Sequence, residues 1–518
     1  MALDKADLVL HEGAVFGHPE SDAVAIAKGR IVSHGRFAEL KALLGPRTHL
    51  IRLAGSTVAP GFIDCHLHFM EAAAAATGVS VMRCHTIGDL LADLRVAAGK
   101  APPGNWLRAF GCDEALIKER RGPEREELDQ AVSKNPLRLR HQTLHASWLN
   151  SRAIILLGLE AGNFKPPAGA WIGRDQAGRM TGFVVGMEEW LTDRLPLVTA
   201  AELEARARIF SRELAAGGIT AFTDAGVRNG PDEVATFARL TNTGAICQRT
   251  ALMLGQHHVD AVVPARRISD AGGIRLAGVK FMGAARYEPG TLSRWVARAM
   301  AQGMDCAFHA IELEELDAAL NAIETARAQL NAKNVEGVVC RIEHGGLIPP
   351  EYPERIAALG VWVVTNPGFL YYRGAKYAGE PGLIPYLYRA RSLAAAGVNL
   401  AGGTDAPVTP ARPLAAIAAA MARVSLEGYE LALDERLAPE DAMKLFTSSA
   451  ARLSRLEAGE MEPGRLADLI VLPTDPSKLG APELLNLAVD MTIVGGRVVY
   501  ERGRPAVGHN PGMSLYSA

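Results

Sequence analysis

Between Thr57 and Leu456 the chain repeats one pattern eight times: a short run rich in Val, Ile and Ala that ends in polar residues, then an Ala/Leu/Arg stretch of helical character. The runs are TVAPGFIDCHLH (57–68), ITAFTDAG (219–226), CQRTALML (247–254), IRLAGVKFM (274–282), MDCAFHA (304–310), GVVCRIEHG (337–345), GVWVVTNPG (360–368) and GVNLAGGTDAP (397–407). Strands that alternate with helices make a parallel sheet, because a parallel neighbour is reached only through a long crossover. Eight such units are the number that closes a (β/α)8 barrel. Helices are predicted over SRWVARAMAQ, LEELDAALNAIETARAQL and PERIAALG, with Gly303, Gly360 and Gly397 where helix ends favour a left-handed residue.

Two segments stand outside this rhythm. Roughly 150 residues separate the first run from the second, too many for a structureless loop. Residues 70–218 are therefore expected to form an insertion domain with its own helices and strands, covering the mouth of the barrel, which itself takes 57–69 and 219–456. At the ends, ADLVLHEGAVFG, AVAIAKGRIVSHG, ADLIVLPTD and DMTIVGGRVVYERG alternate like strands joined by turns. Because chain termini tend to lie close together, 1–56 and 457–518 are expected to build one composite β-sandwich rather than two separate appendages.

Composition narrows the partners. Lys and Arg number 55 against 57 Asp and Glu in 518 residues, a net charge of −2, with no basic block of the kind that nucleic-acid binding needs. No apolar run approaches the ~18 residues of a membrane span, and MALDKADLVL carries charges where a secretion signal would be apolar. The expected setting is the cytoplasm, with a small molecule as substrate and no nucleic-acid or membrane partner. Cys65, Cys84, Cys112, Cys247, Cys306 and Cys340 lie far apart without a CxxC pair, and read as reduced core residues.

The histidines carry more. His66 and His68 end the first run two residues apart, so on a strand both imidazoles face one side. Lys280, His309, His344 and Asp405 fall at the ends of runs four, five, six and eight. In a closed parallel barrel those ends converge on the C-terminal mouth, where barrel enzymes keep their sites. Imidazole nitrogen and carboxylate oxygen are the ligands zinc takes at about 2.0–2.2 Å, and they also suit Mn, Co or Ni. Lys280 has two readings: a buried neutral amine that adds CO2 to become a carbamate bridging two metals, or an ammonium paired with an acid such as Asp405.

Together, VAPGFIDCHLHF, the GVK of run four, FHA, RIEHG, GGTDAPV and DAMKLFTSSAARLSRLEAGEMEPGRLADLIVLPTD resemble the amidohydrolase superfamily. The insertion, with NPLRLRHQTLHASWLNS and GRDQAGRMTGFV, resembles its amidohydrolase-3 (YtcJ-like) branch, which includes N-substituted formamide deformylases and a thiocarbamate hydrolase. This resemblance implies an α/β fold: a distorted TIM barrel with a composite β-sandwich from both termini and a large insertion after the first barrel strand. It also implies one or two divalent ions, zinc first, with His66 and His68 on the more buried metal and carboxylated Lys280 bridging. His309 and His344 would hold the second metal, and Asp405 would be both ligand and proton carrier. A homo-oligomer is compatible with the resemblance, although no surface in the sequence singles out an interface. Two stretches depart from the family pattern, FMGAARYEPG after the GVK and Glu312-Leu313-Glu314-Glu315 after His309.

The expected reaction is hydrolysis of an amide, formamide, carbamate or cyclic amide. A divalent metal can lower the pKa of bound water from 15.7 to about 7, so that hydroxide forms at neutral pH. Asp405 would take that proton and return it to the leaving amine. His145 is the candidate for an extra donor to the oxyanion. Arg286, Tyr287, Tyr371, Tyr372 and Arg373 are candidates to shape the substrate pocket, and His257 or His258 to line the mouth. Deamination or lactone opening at the same site is the alternative activity, since one hydroxide-generating centre supports several reactions. A non-catalytic scaffold on a decayed barrel is disfavoured because no ligand position is lost. Asp224, at the end of run two, has no assigned role.

Overall fold

The first run is two strands, not one. Thr57–Pro60 pairs antiparallel with Leu469–Leu472, whereas Phe62–Leu67 enters an eight-stranded parallel sheet. Gly61 is the hinge between them, and the reason is space: a Cβ there would lie 2.3 Å from a side-chain atom of Thr220. These observations come from a computed structural model that describes residues 5–504 apart from 162, 163, 197, 289 and 332–334.

The parallel strands are β1 (Phe62–Leu67), β2 (Ile219–Asp224), β3 (Arg249–Gly255), β4 (Arg275–Phe281), β5 (Cys306–Ala310), β6 (Cys340–His344), β7 (Trp362–Thr365) and β8 (Leu400–Gly402). Each pairs with the next in chain order, so the eight expected runs form the expected (β/α)8 succession. Helices Thr291–Ala301, Leu313–Gln329 and Tyr352–Ala358 stand where the pattern predicts them. Gly303 and Gly360, with φ of 67° and 58°, follow the first and third of them in the left-handed region.

The barrel is distorted at the seam between β8 and β1. At its C-terminal end the seam is stitched directly, with Asp405 N–H donating to the His66 carbonyl at 2.7 Å and His68 N–H to Ala406 at 2.8 Å. At its N-terminal end a wedge intervenes. Gly402 N–H donates to Leu445 at 2.7 Å and Ile63 N–H to Phe446 at 2.8 Å. The strands therefore splay at the base and close tightly at the mouth.

Both ends of the chain build one sandwich. A four-stranded sheet runs in the order Arg30–Gly35, Ala23–Ala27, Leu8–His11, His49–Arg52. A five-stranded sheet runs Ala14–Val15, Thr57–Pro60, Leu469–Leu472, Met491–Val494, Arg497–Glu501. Leu10, Val24, Ile26, Val58, Leu469 and Ile493 form a buried core from residues of both ends. Burying each such side chain contributes about 1.5–3 kcal/mol before entropy is counted. The sandwich is thus a consequence of two half-cores, neither of which can be covered alone.

The chain divides into two compact units, one holding the barrel and sandwich and the other residues 70–209. The helix Ala200–Ala216 crosses that division. The second unit has a six-stranded mixed sheet in the order Trp171–Arg174, Met180–Val185, Ala146–Leu149, Leu137–His141, Leu107–Cys112, Val79–Ser80. It has its own apolar cores, one around Leu90, Leu94, Leu128 and Leu139 and another around Ile154, Met187 and Leu191. Among the described residues no helix is long and apolar enough to cross a membrane.

Candidate metal centre

Alternation along β1 decides which side chains meet. Cys65 packs outward against Ala450, Ala451 and Leu453, so Asp64, His66 and His68 take the other face. Lys280 comes from β4, His309 from β5 and His344 from the end of β6, while Asp405 lies just beyond β8. His66, Lys280, His344 and Asp405 are buried; His68 and His309 are half-buried. His344 and Asp405 have φ of 72° and 57°, left-handed values that cost a non-glycine residue of order 1–3 kcal/mol.

The tightest group is His66, His68 and Asp405, whose ligand-type atoms all lie within 4.8 Å of one another. Asp405 Oδ1 is 3.3 Å from His66 Nε2 and 3.0 Å from His68 Nε2. On the other side of its ring, His66 meets the Glu343 carboxylate through Nδ1. That contact puts the ring proton on Nδ1, so Nε2 turns a lone pair toward the Asp405 oxygen. Two electron-rich atoms held this close call for a cation between them, and neither atom makes a hydrogen bond. A second pair follows from β5 and β6. His344 Nε2 is 3.1 Å from His309 Nδ1, and the far nitrogen of His344 is 2.8 Å from Asn366 Oδ1. The donor set and these orphaned buried atoms fit a divalent metal.

Lys280 Nζ is also buried without a hydrogen-bond partner. Burial pulls its pKa down to about 8, partly opposed by the charge of Glu343. Geometry thus gives no support to a hydrogen-bonded ammonium–Asp405 pair, and a neutral amine is accessible near neutral pH. Burial also pulls His344 down to about 3, which keeps that imidazole in the neutral, ligating form. Burial alone would push the Asp405 carboxyl up, but without a metal the neighbouring His66 and His68 rings, when protonated, outweigh it and hold Asp405 well below the usual range.

Glu343 escaped the sequence reading. Neighbouring strand residues face opposite sides, so in a regular strand His344 as a ligand would turn Glu343 away. The left-handed φ at His344 breaks the alternation, and both side chains reach the cluster. Arg341 donates to both Glu343 oxygens and, at 2.8 Å, to the Cys65 carbonyl. Burial would raise Glu343, yet the charges of Arg341 and Lys280 hold it well below the usual carboxylate range. Such a carboxylate behind a ligating histidine fixes its tautomer and raises its basicity. Only the Glu next to His344 in RIEHG could have signalled it.

Asp224 is a latch. Its carboxylate accepts from Phe69 N–H at 2.7 Å, Gly226 N–H at 3.0 Å and Asn229 Nδ2 at 2.7 Å, tying the exit of β1 to that of β2. The divergent Glu312–Glu315 stretch is a capping box at the start of Leu313–Gln329. Glu315 accepts from Ile311 N–H at 3.0 Å, which fixes the chain just after His309.

Arg286 is exposed on a short turn after β4, and Tyr287 turns its hydroxyl to Gln256 and its ring to Trp295. Tyr371 and Tyr372 pack edge to face on each other in Gly368–Tyr372, and Arg373 is buried over Phe369. Phe369 itself stacks on His344. His257 is exposed beside Trp295, and the half-buried ring of His258 sits against Gly230. His145 is an exposed residue of the second unit, before the strand Ala146–Leu149.

A family model described as the amidohydrolase family matches residues 49–500. The chain belongs to the amidohydrolase family. As a member it is a hydrolase of the amidohydrolase kind, acting on carbon–nitrogen bonds. It is 28% identical to the N-substituted formamide deformylase of Arthrobacter pascens, over 93% of this chain and 95% of that one. It is 25% identical to the putative amidohydrolase YtcJ of Bacillus subtilis (strain 168), over 95% and 99% of the two chains. In fold, this amidohydrolase resembles an uncharacterized metal-dependent hydrolase from Pyrococcus furiosus, with a TM-score of 0.68 at 24% identity, covering 91% of this chain and all of the other.

Proposed function

We propose that the chain hydrolyses the C–N bond of a small N-substituted formamide or related amide at the cluster of His66, His68, Lys280, His309, His344 and Asp405. One observation carries this reading: His66 Nε2, Lys280 Nζ and Asp405 Oδ1 are buried polar atoms without hydrogen-bond partners, all at the C-terminal end of one barrel. Leaving such atoms unpaired costs about 1–3 kcal/mol each, an expense a protein keeps where a ligand repays it. The relative that deformylates N-substituted formamides supports the substrate class.

In this reading His66, His68 and Asp405 hold one divalent ion, zinc foremost, and His309 and His344 a second. Lys280, as a carbamate formed when its neutral amine adds CO2 and releases a proton, would offer oxygen ligands to this centre. When bound, the metal supplies Lewis acidity to the substrate carbonyl and acidifies water. Asp405, anionic at neutral pH, accepts the proton of the attacking water and returns it to the leaving nitrogen. Glu343 holds the proton on His66 Nδ1 throughout, so that Nε2 stays a ligand. Asn366 orients the His344 ring.

Metal content per chain, measured by plasma mass spectrometry on protein purified without chelators, is the test, joined to turnover on N-substituted formamides, carbamates and cyclic amides. Two ions with amine and carboxylate release is the expected result. One ion recasts Lys280 as a structural residue. Free ammonia as product shifts the reading to deamination, and no metal after replenishment overturns it.

A further inference from the structure

The β-sandwich gathers a separate set of ligand-type side chains far from the barrel cluster in sequence. His18 follows the strand Ala14–Val15, with its N–H donating back to Val15 at 2.9 Å. His34 lies on the strand Arg30–Gly35, and Glu462 in a turn closed by Arg465 N–H donating to its carbonyl at 3.2 Å. One ligand-type atom from each of the three lies within 4.8 Å of the others. His18 Nε2 is 3.4 Å from Glu462 Oε1, and the two imidazole rings lie 3.9 Å apart. Ser21 Oγ engages His34 Nδ1 at 3.0 Å, which fixes the ring and leaves Nε2 as its second nitrogen.

We propose that His18, His34 and Glu462 form a peripheral site for a divalent transition metal of the zinc or copper kind, independent of the barrel centre. Two imidazoles and one carboxylate are the donor set these ions prefer, with water completing the shell. Two rings held this closely disfavour double protonation. Burial and the neighbouring His18 lower the pKa of His34 accordingly, which favours the neutral ligand form. Ser21 plays the part that an outer hydrogen bond plays at metal-ligating histidines, holding the ring in one orientation. Because His18 and His34 precede the barrel in sequence and Glu462 follows it, occupancy clamps the two terminal portions of the sandwich together. A metal that binds only this folded arrangement stabilises it by mass action.

The test uses the full chain with the barrel centre already loaded, and zinc chloride or copper sulfate as probe. Wild-type protein should bind one more zinc per chain than the His18→Ala/His34→Ala double variant, by calorimetry and by metal analysis after gel filtration. Zinc should raise the melting temperature of the wild type and not of the variant, at equal hydrolytic turnover. With copper, the wild type should give a paramagnetic resonance spectrum with imidazole nitrogen coupling that the variant lacks. Glu462→Gln, at an exposed position, should fold normally and bind the extra zinc more weakly. Equal zinc stoichiometry in wild type and both variants, or copper coupling retained in the double variant, overturns the site.

Discussion

Asp405 carries two burdens, a left-handed backbone and a carboxylate wedged between two imidazoles, and both fit the cation-binding and proton-carrying role proposed for it. Asp405→Asn should keep the fold and lower turnover at least ~100-fold, the scale of a lost general acid–base; near-normal turnover in a folded variant would remove Asp405 as proton carrier. Lys280→Ala should lose one of two metals by plasma mass spectrometry and regain part of its activity with a short carboxylic acid at high concentration. Glu343→Gln leaves Arg341 buried beside a neutral partner, so denaturant titration should show a loss of about 3–5 kcal/mol. Metal affinity should fall about 10–100-fold as His66 loses its anchor. The sign of the pH dependence follows from the depressed Glu343 carboxyl. In metal-stripped protein its contribution is present above the ordinary Glu range and is lost as pH falls toward the folded-state value. The gap in melting temperature between wild type and Glu343→Gln should therefore hold from pH 7 down to the ordinary Glu range and narrow only as pH falls below it.

Among the elements, the seam between β8 and β1 has the most consequence. The backbone bonds that close its upper end are those of His66, His68, Asp405 and Ala406, so barrel closure and placement of the proposed ligands are one event. Gly403 makes the approach achievable, since a Cβ there would lie 2.6 Å from the Cβ of His66 and 3.0 Å from its backbone nitrogen. Gly403→Ala should cost about 1–3 kcal/mol by overpacking, and should lower metal content and turnover together. If that variant keeps full metal and activity, the seam has more give than its contacts indicate. Element order was readable in the sequence because eight Val/Ile runs repeat a local pattern, and local patterns survive without tertiary context. The split of 57–68 into two strands was not readable, because Gly61 is explained only by Thr220, which is distant in sequence.

Across the molecule, the barrel depends on a sandwich made from both ends. Asp468 sits at the joint: Arg249 of β3 reaches it through Nε and, at 3.1 Å, through Nη2, while Gly495 N–H donates to it at 2.7 Å. The C-terminal segment also supplies three of the five strands in the second sandwich sheet. Removal of residues 467–504 should leave Leu10, Val24 and Val58 uncovered and prevent the barrel from folding. Soluble yield and circular dichroism of the truncated chain check this, and a cooperative melt near the wild-type temperature would show the barrel to be autonomous.

The sequence by itself determined the succession of parallel strands, the extra strands at both ends, and the six side chains at strand ends. All of these follow from local periodicity and from alternation along a strand. Tertiary structure alone decided the use of Glu343, the role of Asp224 and the gathering of His18 with His34 and Glu462. Each of those depends on a long-range contact or on a backbone angle, at His344 above all, that departs from the regular strand a sequence pattern assumes.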